Sequence, residues 1–239
     1  MLLHLQGGEK MQGQKLRHEL KYYINFSEYI ALRQRLKAVT FPDRHVDQNG
    51  KYRVRSLYFD NIDDKALKEK IFGLNNREKF RIRYYNDDFS YIKLEKKSKI
   101  NGLCTKKSTS LTKEQCERII AGDIQWMRYS EDPLLIELYS KMKFQQLRPK
   151  TLVDYIREPY IYGPGNVRIT IDSEIKTGLT CTELFNQEVA SMRTHAYGTM
   201  ILEVKFDEFL PDAIRDVIQV NNRQNTAFSK YAVCRMYGC

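Results

Sequence analysis

Polar and apolar residues alternate with period two along much of this chain, and the charge on the polar positions is mostly positive. In Lys79-Phe80-Arg81-Ile82-Arg83-Tyr84-Tyr85, positions 79, 81 and 83 are cationic while 80, 82 and 84 are apolar. Asn166-Val167-Arg168-Ile169-Thr170-Ile171-Asp172 sets Val, Ile and Ile against Arg, Thr and Asp, and Ile201-Leu202-Glu203-Val204-Lys205-Phe206-Asp207 follows the same rule. Side chains of a strand point to alternate faces, so each segment reads as a half-buried strand. Strands are predicted on this basis over 16–24, 51–59, 78–85, 90–99, 105–109, 151–157, 166–175 and 200–206. Asn86-Asp87-Asp88 has tight-turn composition and makes an antiparallel hairpin of its flanking strands. Gly163-Pro164-Gly165-Asn166 reads as a second turn.

Helices are inserted between groups of strands. Ser27 is the expected N-cap of the first, with Ile30, Leu32 and Leu36 on its buried side. Thr112 and Gln115 bracket a capping box opening a helix that stops before Gly122. Asp132-Pro133 supplies N-cap and first helical residue for another, with Leu134, Leu135, Leu138 and Met142 apolar. Pro211 opens a helix containing Ile214, Val217 and Ile218, and 229–237 forms the last. The order is α+β with mostly antiparallel strands. Two architectures stay open. Charged faces turned to solvent give a plain sheet with helices on one side. A closed sheet puts those faces around an interior, packs the apolar faces outward under the helices, and removes exposed edges.

Composition narrows the partner more than the fold. A chain of 239 residues with 42% hydrophobic content can bury a sizeable core. No linker, repeat or low-complexity tract divides it, so a single domain over 16–239 is expected behind a flexible N-terminus over 1–15. Net charge is +10, from 40 Lys and Arg against 30 Asp and Glu, which favours an anionic partner: nucleic acid, a phosphorylated molecule or an acidic membrane surface. The 5 cysteines contain no CxxC pair and read as buried or incidental thiols of a reducing, cytoplasmic compartment. No stretch approaches the roughly 20 apolar residues of a membrane span. P-loop, Rossmann, GxSxG and HExxH motifs are missing.

The candidate chemistry lies where basic and acidic residues share a strand face: Arg17, Glu19 and Lys21; Lys93, Glu95, Lys97 and Lys99; Glu203 and Lys205. Arg forks bind phosphate oxygens in bidentate fashion, and Lys adds a compact point charge. Carboxylates among such cations repel phosphate unless they hold a metal, and Mg²⁺ binds through one or two carboxylates together with phosphate oxygens. Singly, Arg81 and Arg83 read as solvated strand residues and Glu95 as a cross-strand partner. Recurrence of one charge sign across strands is what points to a polyanion, and cations with a few carboxylates are what metal-assisted triphosphate chemistry needs. Lys96, Lys106 and Lys143 are assigned to solubility. The 16 tyrosines leave base stacking by a sheet-type RNA binder open, although Tyr84 falls on the apolar face.

The segments RHELKYYI at 17–24, YRVRSLYFDN at 52–61, KFRIRYY at 79–85, IKLEKKSK at 92–99, VDYIREPY at 153–160, VRITIDSEI at 167–175, MILEVKF at 200–206 and FSKY at 228–231 come in a telling order. In series they resemble the catalytic domain of the VTC (vacuolar transporter chaperone) family, a branch of the triphosphate tunnel metalloenzymes. The resemblance implies a closed antiparallel β-tunnel of about eight strands with flanking helices. It also implies a polyphosphate polymerase that moves the terminal phosphate of a nucleoside triphosphate, ATP foremost, onto a polyphosphate chain with Mn²⁺ or Mg²⁺. By motif position the phosphate-binding residues are Lys21, Arg81, Arg83, Lys97, Lys107, Arg157, Arg168 and Lys230, with Lys205 beside them. Glu203 corresponds to the metal-ligand glutamate, and Glu19 is a second metal candidate. Lys106 and Lys107 are adjacent, and a one-residue slip exchanges their faces. The superfamily's ExExK signature is here Arg17-His18-Glu19-Leu20-Lys21, which points away from a two-metal hydrolase site. The membrane-spanning parts of eukaryotic members have no counterpart, so a free-standing catalytic domain is expected, with any membrane partner on another chain. No nucleic acid is expected as substrate. A tunnel triphosphatase and a non-catalytic polyphosphate- or RNA-binding module are the rival readings.

Overall fold

Each alternating segment of the sequence becomes a strand, and every strand joins one antiparallel sheet. The computed structural model describes residues 17–43, 45–100, 103–219 and 224–237; the segment 1–15 expected to be flexible lies outside the described residues. In chain order the elements are β1 (His18–Ile24), α1 (Phe26–Val39), β2 (Phe41–Pro42), β3 (Tyr52–Asp60), α2 (Lys65–Ile71), β4 (Arg77–Tyr85), β5 (Asp88–Ile100) and β6 (Leu103–Leu111). After these come α3 (Lys113–Ala121), α4 (Pro133–Phe144), β7 (Arg148–Tyr162), β8 (Val167–Thr177), β9 (Met192–Arg193), β10 (Met200–Phe206), α5 (Asp212–Val217) and α6 (Lys230–Met236). Strands pair in the order β1-β10-β8-β7-β3-β4-β5-β6, with β2 added to β7 and β9 to β8.

β1 and β6 stand at opposite ends of that order, yet their residues meet. Lys21 on β1 comes within electrostatic reach of Cys104 on β6, and Glu19 on β1 feels Lys97 on β5. The sheet is therefore rolled into a tunnel. Among the described residues no ladder joins β1 to β6. The backbone edge of β1 is met instead by the chain before α6: Thr226 N–H donates to Lys21 O at 2.8 Å, and Lys21 N–H donates to Asn225 Oδ1 at 3.0 Å. That pairing protects an edge that would otherwise offer free donors and acceptors.

Apolar faces turn outward. Phe80, Ile82 and Tyr84 of β4 and Ile92 and Leu94 of β5 pack beneath Cys116 and Ile119 of α3 and Leu134, Leu135, Leu138 and Met142 of α4. On the other flank Ile169 and Ile171 of β8 and Leu202 and Val204 of β10 pack beneath Leu32 and Leu36 of α1 and Ile214 of α5. Each such side chain stabilises the fold by about 1.5–3 kcal/mol relative to exposure. A third cluster lies inside the curl, where Tyr58, Tyr155 and Ile201 meet Phe228, Tyr231 and Cys234. The last helix thus stops up part of the bore.

The predicted caps of α3 and α4 are the observed ones, Thr112 with Gln115 and Asp132 with Pro133. α1 starts earlier than Ser27 predicts. Asn25 is its cap, because the Asn25 amide oxygen accepts from Glu28 N–H while the Glu28 carboxylate accepts from Asn25 N–H. Tyr29 takes the buried place expected for Ile30, which is exposed. α2 has no buried residue and so no apolar stripe to find in the sequence; Asp60 starts it by accepting from Ala66 and Leu67 N–H. Among the described residues no helix is long and apolar enough to cross a membrane. Cys116 and Cys234 are buried, and burial pushes both thiols up to about 12.

Candidate functional site: a cation-lined tunnel

Residues directly opposite on paired strands share a face, so the register decides which charges meet inside. Arg81 on β4 stands opposite Glu95 on β5. Arg81 Nε donates to Glu95 Oε2 at 2.7 Å, and its Nη1 donates to Tyr58 OH at 2.8 Å. Arg83, two residues on, donates to Ser56 Oγ at 3.1 Å and Tyr155 OH at 2.9 Å and lies 3.9 Å from Glu95. Lys106 Nζ approaches the other oxygen of Glu95 at 2.9 Å. One buried carboxylate is thus shared by three cations.

A second cluster forms where β1, β10, β8 and β7 run side by side. Lys21 pairs with Glu203 and Glu19 with Lys205 across the β1–β10 ladder. Lys21 Nζ is 2.9 Å from Glu19 and 3.9 Å from Glu203, while Lys205 contacts Glu203 and reaches Glu19 at 3.4 Å. Deeper in, Arg157 grips Asp172 with two bonds of 2.6 and 2.8 Å, and Lys230 from the start of α6 reaches the same carboxylate at 2.5 Å. Arg168 stands opposite Lys205 on the same face, with 38% of its side chain exposed, and bonds Asp43 at 2.7 Å and Tyr52 OH at 3.1 Å.

Burial opposes every one of these charges, and the partner charges decide the outcome. Burial and Glu203 push the Glu19 carboxyl up, but Lys21, Lys205 and Lys97 outweigh them and hold it below the usual range. Burial also works against Glu203, and Lys205, Lys21, Lys230 and Arg157 hold it well below that range. Glu95 is likewise held down, against burial, by Arg81, Arg83 and Lys106. Asp172 falls to about 2 because Arg157 and Lys230 overcome its burial. Two lysines go the other way. Burial, then Lys205 and Arg81, depress Lys97 well below an ordinary lysine. Burial lowers Lys79 to about 8, with Lys21 and Arg81 adding to it and Tyr58 opposing.

Of the residues expected from sequence, Lys21, Arg81, Arg83, Lys97, Arg157, Arg168, Lys205, Lys230, Glu19 and Glu203 face the bore, Arg168 through its place opposite Lys205. Lys107 does not face it. The β5–β6 register sets Lys97 opposite Lys106 and Lys96 opposite Lys107. Lys96 belongs to the outer face, where it pairs with Glu78 and Glu137. Lys107 is therefore outside and Lys106 inside, reversing the expected assignment of both. The alternation read the parity of β5 correctly, but the parity of β6 depends on the connection from β5. Sequence reasoning also passed over Asp172, Tyr58, Tyr155 and Lys79. The first and last of these stood in the alternating pattern; the tyrosines carry no charge to mark them. Tyr84 is buried against Phe89 and Phe185 and donates to Leu184 O, so it offers no stacking surface.

Glu19 and Glu203 are neighbouring carboxylates facing one interior. No group of three or more His, Cys, Asp or Glu suited to a metal exists among the described residues. Two carboxylates fit an Mg²⁺ or Mn²⁺ ion that completes its shell with phosphate oxygens and water, and do not make an all-protein cage.

The sequence model described as the VTC domain matches residues 16–237. No curated protein matches the chain. Among solved structures, a candidate adenylyl cyclase from Hippeastrum with a dominant triphosphatase activity superposes with a TM-score of 0.52 at 14% identity, over 92% of this chain and 94% of that one. A candidate adenylate cyclase from Bacillus halodurans superposes with a TM-score of 0.51 at 14% identity, over 86% and 87%. At such identity these two are alike in fold alone.

Proposed function

This chain belongs to the VTC domain family, and from that premise we propose that it is a metal-dependent polyphosphate polymerase using a nucleoside triphosphate, with ATP the first candidate. The observation that carries the reading is the bore itself: Lys21, Arg81, Arg83, Lys97, Arg157, Lys205 and Lys230 converge there, and its carboxylates are already held by cations.

The reaction forms a bond from a terminal oxygen of the polyphosphate chain to the γ-phosphorus and breaks the bond from that phosphorus to the β–γ bridging oxygen. The nucleoside diphosphate leaves with the electron pair. Its loose transition state asks the protein for positioning and charge rather than for a general base. Arg81 and Arg83 are fixed by Glu95, Tyr58, Ser56 and Tyr155, so their remaining N–H groups are aimed before substrate arrives. Lys21 and Lys97 supply movable point charges, and Arg157 and Lys230 hold their side of the wall through Asp172. Glu203, with Glu19, is the group that would hold Mn²⁺ or Mg²⁺, which neutralises charge on the phosphate oxygens. With an ion held by Glu203 and Glu19, Lys21 and Lys205, now on those carboxylates, would turn to phosphate.

The test is incubation of the purified protein with ATP and Mn²⁺. Long-chain polyphosphate with ADP is the expected product. Release of inorganic phosphate alone would make the protein a tunnel triphosphatase. RNA binding that survives Glu203→Ala, with no triphosphate turned over, would make it a binding module.

A further inference from the structure

Arg168, Thr170 and Asp172 occupy alternate positions on the inward face of β8, and only Asp172 is fully engaged. Arg157 and Lys230 hold its carboxylate. Arg168 Nε and Thr170 Oγ1, by contrast, are buried with no hydrogen-bond partner among the described residues. Thr170 is the deeper of the two, 2% exposed. Its cross-strand neighbours are Glu203 of β10 on one side and Pro159 of β7 on the other. The Pro159 ring offers a hydroxyl nothing, and the Glu203 carboxylate is engaged by Lys205 and Lys21. A buried hydroxyl without a partner is costly, and native structures keep few of them. Strand formation does not call for it, because valine has nearly the same shape and suits a strand as well.

The row Lys21, Glu203, Thr170 runs straight across β1, β10 and β8. Glu203 therefore has a cation on one flank and a neutral oxygen on the other. A carboxylate at that place repels phosphate and attracts a divalent ion. Mg²⁺ and Mn²⁺ take oxygen ligands, and Glu19 with Glu203 supplies only part of such a shell. A hydroxyl can add to it through its own oxygen, or can fix a metal-bound water through its O–H.

We propose that Thr170 is the third protein oxygen of the divalent-ion site, on the flank of Glu203 away from Lys21, and that it holds the ion directly or through one of its waters. The assignment rests on the bore's being metal-dependent, and it adds to the two carboxylates a residue that no charge pattern marks.

Ion binding measured without nucleotide or turnover separates this from the polymerase assignment. Mn²⁺ is titrated into the protein, alone and with one equivalent of inorganic tripolyphosphate, and its uptake is followed by loss of the free ion's electron paramagnetic resonance signal. The proteins are the wild type, Thr170→Val, which keeps the shape, and Thr170→Ser, which keeps the hydroxyl. Thr170→Val is expected to lose about tenfold in Mn²⁺ affinity, and Thr170→Ser to stay close to the wild type. Both should bind tripolyphosphate in a chelator as the wild type does. In the chelator the melting temperature of Thr170→Val should not fall, because no bond within the protein has been removed; a merely structural hydroxyl would lower it. Unchanged Mn²⁺ affinity in Thr170→Val overturns the assignment. So does a loss of metal-free tripolyphosphate binding in that variant, which would give the hydroxyl to phosphate instead. A wild type that takes up no Mn²⁺ in either titration overturns the assignment and the metal dependence together. A protein that holds Mn²⁺ through Thr170 but makes no polyphosphate from ATP would lose the polymerase assignment and keep this one.

Discussion

Glu95 is the residue on which the interior most depends, and its part is structural before it is chemical. Its carboxylate is buried and serves Arg81, Arg83 and Lys106 at once. Glu95→Gln leaves two buried guanidinium groups without their counter-charge, which should cost about 3 kcal/mol in chemical unfolding. Lys79 is the opposite case, a cation held where its charge is disfavoured. Burial raises Tyr58, but Arg81 and Lys79 bring it down to about 8, and Lys79 itself is lowered to about 8, so the pair sheds a proton near that pH. In the unfolded chain the same groups keep their protons up to about pH 10. Between these values the unfolded state binds more protons, so stability rises with pH. Lys79→Met should therefore be the more stable protein at about pH 7, with its advantage shrinking by about pH 9.5. Melting curves of both proteins across that range test this, and a constant difference would count against it.

At the scale of the element, the turn from β7 to β8 holds the two strands that carry Arg157 and Asp172 in register. Gly165 has a φ of +69°, and a Cβ there would stand 2.7 Å from Phe209 O, while Gly165 O accepts from Asp207 N–H at 3.1 Å. Gly165→Ala meets both a left-handed backbone and an immovable carbonyl, so a loss of about 1–3 kcal/mol is expected, read as a lower denaturation midpoint. α6 shows how far an element's role can lie from its local sequence. Its cap, Ser229 on Ala232 N–H, was foreseeable from residues 229–237, but its place inside the curl was not. Only there can Lys230 reach Asp172 and Tyr231 donate to Asp60 at 2.6 Å.

For the whole molecule, a bore lined by cations should bind polyanion without any metal. Inorganic tripolyphosphate in a chelator should raise the melting temperature, by the equivalent of about 2.7 kcal/mol at one hundred times its Kd. Salt should erode that gain, since part of the attraction is screened. Glu203→Gln should keep this metal-free stabilisation and lose the further effect of Mn²⁺. A variant that responds to Mn²⁺ as the wild type does would remove Glu203 from the metal site.

The chain's alternation by itself determined the strands, their apolar faces and the sign of the charge between them, because period-two patterning is local and each face must find either core or water. Arg81, Arg83 and Glu203 could be read from it for that reason, whereas Arg157, on one face with Val153 and Tyr155, could not. What closed the sheet, and which carboxylate met which cation, was decided only in three dimensions. Lys106 and Lys107 are equivalent as letters, and the register of β6 against β5 separates them. Glu19 and Lys97 lie on strands far apart in the sheet order, and only the roll of the sheet brings their charges together. Pairing across such distances depends on backbone geometry summed over many residues, which no short stretch of sequence encodes.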